Sequence, residues 1–155
     1  MEIRPVVSQD RTQLEGLLRR IETFTADEVD CALELIDGAS QPGNKDYQVL
    51  VAAREGKIVG YVCYGPTPMT DGTFDLYWIA SDPLVRGQGV GAALVSAMEG
   101  DIRRRKGRLI RVETSAMEAY GPTRGFYAAM QYKEESRFRD FYKPGEDLVV
   151  LAKRL

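Results

Sequence analysis

The chain contains no histidine. That removes a histidine general base, a Ser-His-Asp triad and any histidine-ligated metal site. Cysteine is nearly absent as well. Cys31 and Cys63 are too few for a thiolate metal cluster and lie far apart, so both read as buried, reduced thiols and no metal is expected. Positive charge is not in excess. The 21 Lys and Arg face 23 Asp and Glu, a formal net charge of -2, which gives no support for broad nucleic-acid binding. No apolar run approaches the roughly 20 residues of a membrane span. The start, Met1-Glu2-Ile3-Arg4-Pro5, lacks a signal-peptide core. A cytoplasmic protein without membrane contact is the expectation. Proton chemistry falls to Asp, Glu, Tyr, Lys or water.

What is present suits a folded domain. Of 155 residues, 44% are hydrophobic and 28% charged, and one domain over residues 1–155 is expected. Met1 to Val7 reads as an edge strand, where Pro5 is tolerated. Ser8 then caps a helix whose apolar face is Leu14, Leu17, Leu18 and Ile21. Thr25 and Glu28 form a second cap signature before Val29, Ala32, Leu33 and Ile36, and Gly38 ends that helix. Tyr47–Arg54 and Ile58–Gly65 flank a tight Glu55-Gly56-Lys57 turn, a hairpin signal. Thr73–Ser81 is the central strand. A helix from the glycines to about Arg105 follows, stopped by Gly107, then a strand over Arg108–Thr114. Pro122 opens a short helix carrying Phe126, Tyr127 and Met130. Tyr132–Phe141 reads as a half-exposed strand and Leu148–Leu155 as the last. The order is β-α-α-β-β-β-α-β-α-β-β, an α/β fold with a mixed central sheet of about seven strands flanked by helices.

The most informative stretch joins the central strand to the third helix. Asp82-Pro83 ends the strand. Arg86-Gly87-Gln88-Gly89-Val90-Gly91-Ala92 opens the helix, with three glycines alternating with other residues. The first N–H groups of a helix have no internal partner and the macrodipole makes that end positive. Such a start suits a phosphate or pyrophosphate. A nucleotide-hydrolysing P-loop fails here, since no lysine follows the glycines. Gly87-x-Gly89-x-x-Ala92 formally fits a dinucleotide fingerprint. Five residues part it from its strand, however, and the repeated β-α-β units of that fold are missing.

The segment Arg86-x-x-Gly89-x-Gly91, after an apolar strand ending in Asp82-Pro83, resembles the acyl-CoA-binding motif of the GNAT family of N-acetyltransferases. The order of elements around it covers nearly the whole chain. Tyr120-Gly121 stands where many members carry an asparagine, and the C-terminal hairpin looks like that of members that acetylate protein N-termini or related amines. The resemblance implies acetyl-CoA as donor, a primary amine as acceptor (a peptide N-terminus, a lysine or a small-molecule amine) and direct attack. Arg86, Gly87, Gln88, Gly89, Val90, Gly91 and Ala92 would then hold the pyrophosphate. Ile79, Ala80 and Ser81 would offer backbone groups to the pantetheine arm beside a bulge in the central strand. Tyr127 matches the family's usual proton donor to the departing thiolate, its plain alternative being a core residue. Glu113 is the first choice of base and Asp75 the second, each with an ion-pair or surface role as the alternative. A non-catalytic acyl-CoA-binding sensor uses the same loop and stays open at this point. So does a homodimer through the last strands. The run Arg103-Arg104-Arg105-Lys106 reads as a solvated helix end.

Overall fold

A computed structural model describes residues 1–155. Its elements run β1 (Glu2–Pro5), α1 (Arg11–Arg19), α2 (Ala26–Ala39), β2 (Gln48–Arg54), β3 (Lys57–Pro66), β4 (Thr73–Ser81), α3 (Val90–Arg104), β5 (Leu109–Ser115), α4 (Gly121–Ala129), β6 (Lys133–Lys143) and β7 (Glu146–Arg154). The seven strands form one mixed sheet in the order β1-β2-β3-β4-β5-β7-β6. All neighbouring pairs are antiparallel except β4 and β5. This is the expected order and class. No helix is long and apolar enough to cross a membrane.

Two apolar layers sandwich the sheet. On one face Leu14, Leu17 and Leu18 of α1 and Val29, Ala32, Leu33 and Ile36 of α2 pack on Val51, Tyr61 and Cys63. Their helical spacing is what gathers them on one side of each helix. On the other face Val90, Leu94, Val95, Met98 and Ile102 of α3 pack on Val62, Leu76, Ile110 and Val112. Thr25 and Glu28 close a reciprocal capping box at the start of α2, with bonds of 3.1 and 3.2 Å.

Several local expectations are corrected. Ser8 begins a single tight helical turn, and Asp10 anchors the start of α1 by accepting the Val7 N–H at 2.9 Å and the Arg4 guanidinium at 2.8 and 2.9 Å. The Ser8 hydroxyl donates to the Gln9 side-chain oxygen at 3.4 Å and takes no part in capping α1. Gly38 lies inside the last turn of α2 rather than ending it. Cys31 is exposed, because it falls on the solvent face of α2; Cys63 is buried on β3, and burial pushes its thiol up to about 12. β6 is exposed along its whole length because it is the sheet's outer strand with no helix over it.

Candidate active site

β4 and β5 run side by side only as far as Leu76 and Val112. Beyond them β4 continues from Tyr77 to Ser81 while pairing only with β3, and β5 continues from Glu113 to Ser115 while pairing only with β7. The centre of the sheet therefore opens into a V. Its cause is visible in the register with β3, where Cys63 faces Trp78 but Tyr64 faces Leu76. Tyr77 is the extra residue of a bulge, which bends its strand and adds twist. The side chains follow: Leu76 and Ile79 pack with the α3 layer, while Trp78 and Ala80 pack with the α1–α2 layer. Ile79, Ala80 and Ser81 thus lie on a strand edge with no strand beside it, the kind of edge that takes an extended ligand.

At the top of the V stands the start of α3. Gly87 and Gly89 have φ of 78° and 81°, and nothing lies within 4 Å of where a Cβ would sit. They are glycines because of backbone conformation. Gly91 is different. A Cβ there would meet the Phe126 ring at 3.2 Å, so this glycine lets α4 pack against the first turn of α3. The backbone N–H groups of Val90, Gly91 and Ala92 occupy the first turn, where no helical acceptor precedes them. Gln88 departs from the expected pattern. Its N–H is spent on the Val85 carbonyl at 3.3 Å, and its side chain binds Arg54 at the end of β2. Arg86 is exposed.

The strand end below the loop is tightly held. The Asp82 N–H donates to the Val59 carbonyl at 2.8 Å, and its carboxylate accepts from the Leu84 N–H at 3.0 Å and from Arg20 at 2.7 Å. Burial pushes the Asp82 carboxyl up, but these two donors outweigh it and hold the group below its ordinary value. The loop geometry is therefore imposed from β3, α1 and β2 together.

The candidate proton carriers lie on different elements. Tyr127 on α4 is 3% exposed, its ring against Phe126 at 5.3 Å and Tyr132 at 5.7 Å between centroids. Only the Tyr61 hydroxyl is both fully enclosed and without a partner, so the Tyr127 hydroxyl, unbonded within the chain, opens to the surface. Burial pushes the Tyr127 hydroxyl up, which keeps its proton on at neutral pH. Glu113 is exposed on β5, at the first position past the end of the β4 pairing. It lies opposite Val150 of β7, and its charge adds to burial in raising the Tyr142 hydroxyl on β6. Asp75 is 8% exposed and committed: its oxygens accept from Arg111 at 2.7 Å and from the Thr67 hydroxyl at 2.8 Å.

Sequence reasoning missed Arg20, Arg54, Arg111 and Arg124. Arg124 donates to the Ser115 and Met117 carbonyls at 2.6 and 2.8 Å and ties the start of α4 to the end of β5. The first three have partners 62, 34 and 36 residues away, so no local pattern carries them.

A parallel strand pair that parts at a bulge, under a helix start with free N–H groups, is an arrangement suited to an acyltransferase. Residues 45–134 match the family model described as an acetyltransferase (GNAT) domain. The structure superposes on a Desulfovibrio desulfuricans protein described as a GNAT-family acetyltransferase, with a TM-score of 0.95 and 36% identity over 99% of this chain and 98% of that one. The chain belongs to the GNAT family of acetyltransferase enzymes. The fold is also similar to an aminoglycoside 6'-N-acetyltransferase complexed with coenzyme A (TM-score 0.79, 18% identity, 99% and 97% covered). A ribosomal-protein-alanine N-acetyltransferase from Brucella melitensis is a comparable neighbour (TM-score 0.79, 22% identity, 100% of both chains). No curated protein matches the chain.

Proposed function

We propose that residues 1–155 form a single N-acetyltransferase domain that moves an acetyl group from acetyl-CoA to a primary amine by direct attack. The observation that carries this reading is the V between β4 and β5, opening next to the glycine-rich start of α3. The residues present fit the donor. The free N–H groups at the start of α3 would take the pyrophosphate, with Arg86 adding charge. The unpaired edge of β4 from Ile79 to Ser81 would hold the pantetheine arm as a neighbouring strand would. Acetyl-CoA supplies the activated acyl carbon. A neighbour of the same fold crystallised with coenzyme A supports this choice of donor.

The chain's own residues divide the remaining work. A backbone N–H at Ile79 or Ala80 would face the thioester carbonyl and stabilise negative charge as it develops there. The acceptor attacks as a neutral amine, yet a lysine amine has a pKa of about 10.4 and an α-amine about 7.7–8.0. Glu113 takes that proton, directly or through water. Asp75, already bonded to Arg111 and Thr67, serves better to hold that arginine than to accept a proton. As the C–N bond forms and the C–S bond breaks, the Tyr127 hydroxyl gives its proton to the departing sulfur and regains one from solvent.

The test has two arms. Coenzyme A should raise the unfolding temperature, since it binds only the native state. Free thiol should be released from acetyl-CoA in the presence of at least one member of a panel of peptides, lysine derivatives and aminoglycosides. Tight coenzyme A binding with no release on any acceptor would favour a sensor. No binding at millimolar concentration would sink the reading.

A further inference from the structure

The structure holds one buried ion pair that the chemistry above does not use. Glu99 on α3 is 4% exposed and sits against Lys153 on β7, whose Nζ donates to both carboxylate oxygens at 2.9 and 3.0 Å. The third member is Tyr132, just past α4. Its hydroxyl donates to Glu99 at 3.2 Å, and the Lys153 ammonium lies 5.6 Å from its ring centroid. Tyr132 in turn meets Tyr127 twice. Its N–H donates to the Tyr127 carbonyl at 2.9 Å, and the two rings pack edge to face at 5.7 Å and 61°.

A buried ion pair seldom adds net stability, because desolvating two charges offsets their attraction; an apolar replacement of similar volume is often as stable. What such a pair can supply, in some proteins, is selection of one arrangement of the elements that carry it. Here those elements are α3, β7 and the end of α4. Tyr127 has no hydrogen bond of its own through its hydroxyl, so its direction is set by what its ring rests on. That support is Phe126 on one side and Tyr132 on the other.

We propose that Glu99 and Lys153 are positioning residues for Tyr127: they fix the Tyr132 hydroxyl, and the Tyr132 ring holds the Tyr127 hydroxyl in line with the leaving sulfur. The proposal rests on Tyr127 acting as proton donor. Its signature is dependence on that hydroxyl, since misalignment of a catalytic group costs rate rather than donor affinity.

The experiment is a double-mutant cycle on the full chain, with kcat and the KM for acetyl-CoA measured at saturating amine. Tyr132→Phe removes one oxygen and keeps the ring. It should lower kcat about tenfold with KM unchanged, and in a Tyr127→Phe background it should change kcat less than about twofold. Lys153→Met should lower kcat similarly and Lys153→Arg should restore most of it. If Lys153→Met fails to fold, Tyr132→Phe still decides. An equal fold loss of kcat in both backgrounds, or no loss from Tyr132→Phe while Tyr127→Phe is slow, overturns the positioning role. If Tyr127→Phe alone is as fast as wild type, the donor assignment has failed, and the positioning role falls with it.

Discussion

The glycines at the start of α3 can be separated by substitution, because the structure gives them different reasons. Gly89 has φ of 81° with open space around its missing Cβ. An alanine there pays about 1–2 kcal/mol for the left-handed conformation and recovers about 0.4–1 kcal/mol from a less flexible unfolded chain. The net loss of about 1 kcal/mol corresponds to a fall of about 2–4 °C in Tm for a chain this long. If the loop relaxes to avoid the strain, it gives up one charge-assisted bond to the pyrophosphate. That is about 1.5–3 kcal/mol, or roughly tenfold to a hundredfold in KM for acetyl-CoA. The kcat at saturating donor should stay within about twofold, since uniform binding is what is lost. Gly91→Ala should behave in the opposite way. Helix propensity favours alanine by up to about 1 kcal/mol, while displacing the Phe126 ring, 3.2 Å from the new methyl, costs about the same. Its Tm should therefore barely move. Phe126 is the neighbour of Tyr127, so kcat should fall about tenfold with little change in KM. Thermal unfolding and steady-state kinetics on the two variants decide it. A Gly91→Ala variant with raised KM and normal kcat would refute the reasoning, because it would mean that this glycine faces the ligand and not α4.

Three further outcomes are expected. Glu113→Gln should abolish activity or move its pH optimum upward, towards pH values where the amine is already neutral; an unchanged pH–rate profile would transfer the base role to Asp75 or water. Tyr61→Phe should stabilise the fold by about 1–2 kcal/mol in chemical denaturation, because it removes a fully buried hydroxyl that has no partner; a loss of stability would show that the hydroxyl is bonded. Acid should destabilise the protein through Asp10 and Asp82. The Arg4 bond holds Asp10 below its ordinary carboxyl value against the opposing effect of burial, and Asp82 is likewise lowered. The unfolded chain then binds more protons than the folded one, so their stabilisation is complete above about pH 4 and drains away as pH falls further. Asp10→Asn should cost about 1 kcal/mol at pH 7, a value discounted because Arg4 is partly exposed, and should make the acid limb of stability against pH shallower; an unchanged limb would remove Asp10 from the account.

The order of elements was legible because each carries its own local signal. Leu14, Leu17 and Leu18 recur at helical spacing, Thr25 and Glu28 close a box across three residues, and Gly56 marks a two-strand turn. The glycine-rich helix start was legible for the same reason. Its internal division of labour was not. Gly91 answers to Phe126, 35 positions later, and Gln88 to Arg54, 34 earlier. Asp75 shows the same limit, since its commitment to Arg111 is invisible until β4 and β5 lie side by side. A strand glycine or carboxylate advertises its type locally, but its role depends on partners that only the fold selects.

The bulge at Tyr77 is where local and global information meet. Strict alternation through Phe74, Leu76, Trp78 and Ala80 would send all four to one face of β4. The structure instead puts Phe74, Leu76 and Ile79 with α3, and Trp78 and Ala80 with α1 and α2. One extra residue therefore does two things at once. It turns the second half of the strand over, so that Ala80 can be buried under α1 and α2. It also coincides with the end of the β5 ladder, leaving the edge from Tyr77 to Ser81 free. Regular pairing with every residue of β4 kept would send Trp78 into the α3 layer. The open V is thus held by the packing of both cores rather than by any residue within it, which is why a site of so few polar groups needs the whole sheet to define it.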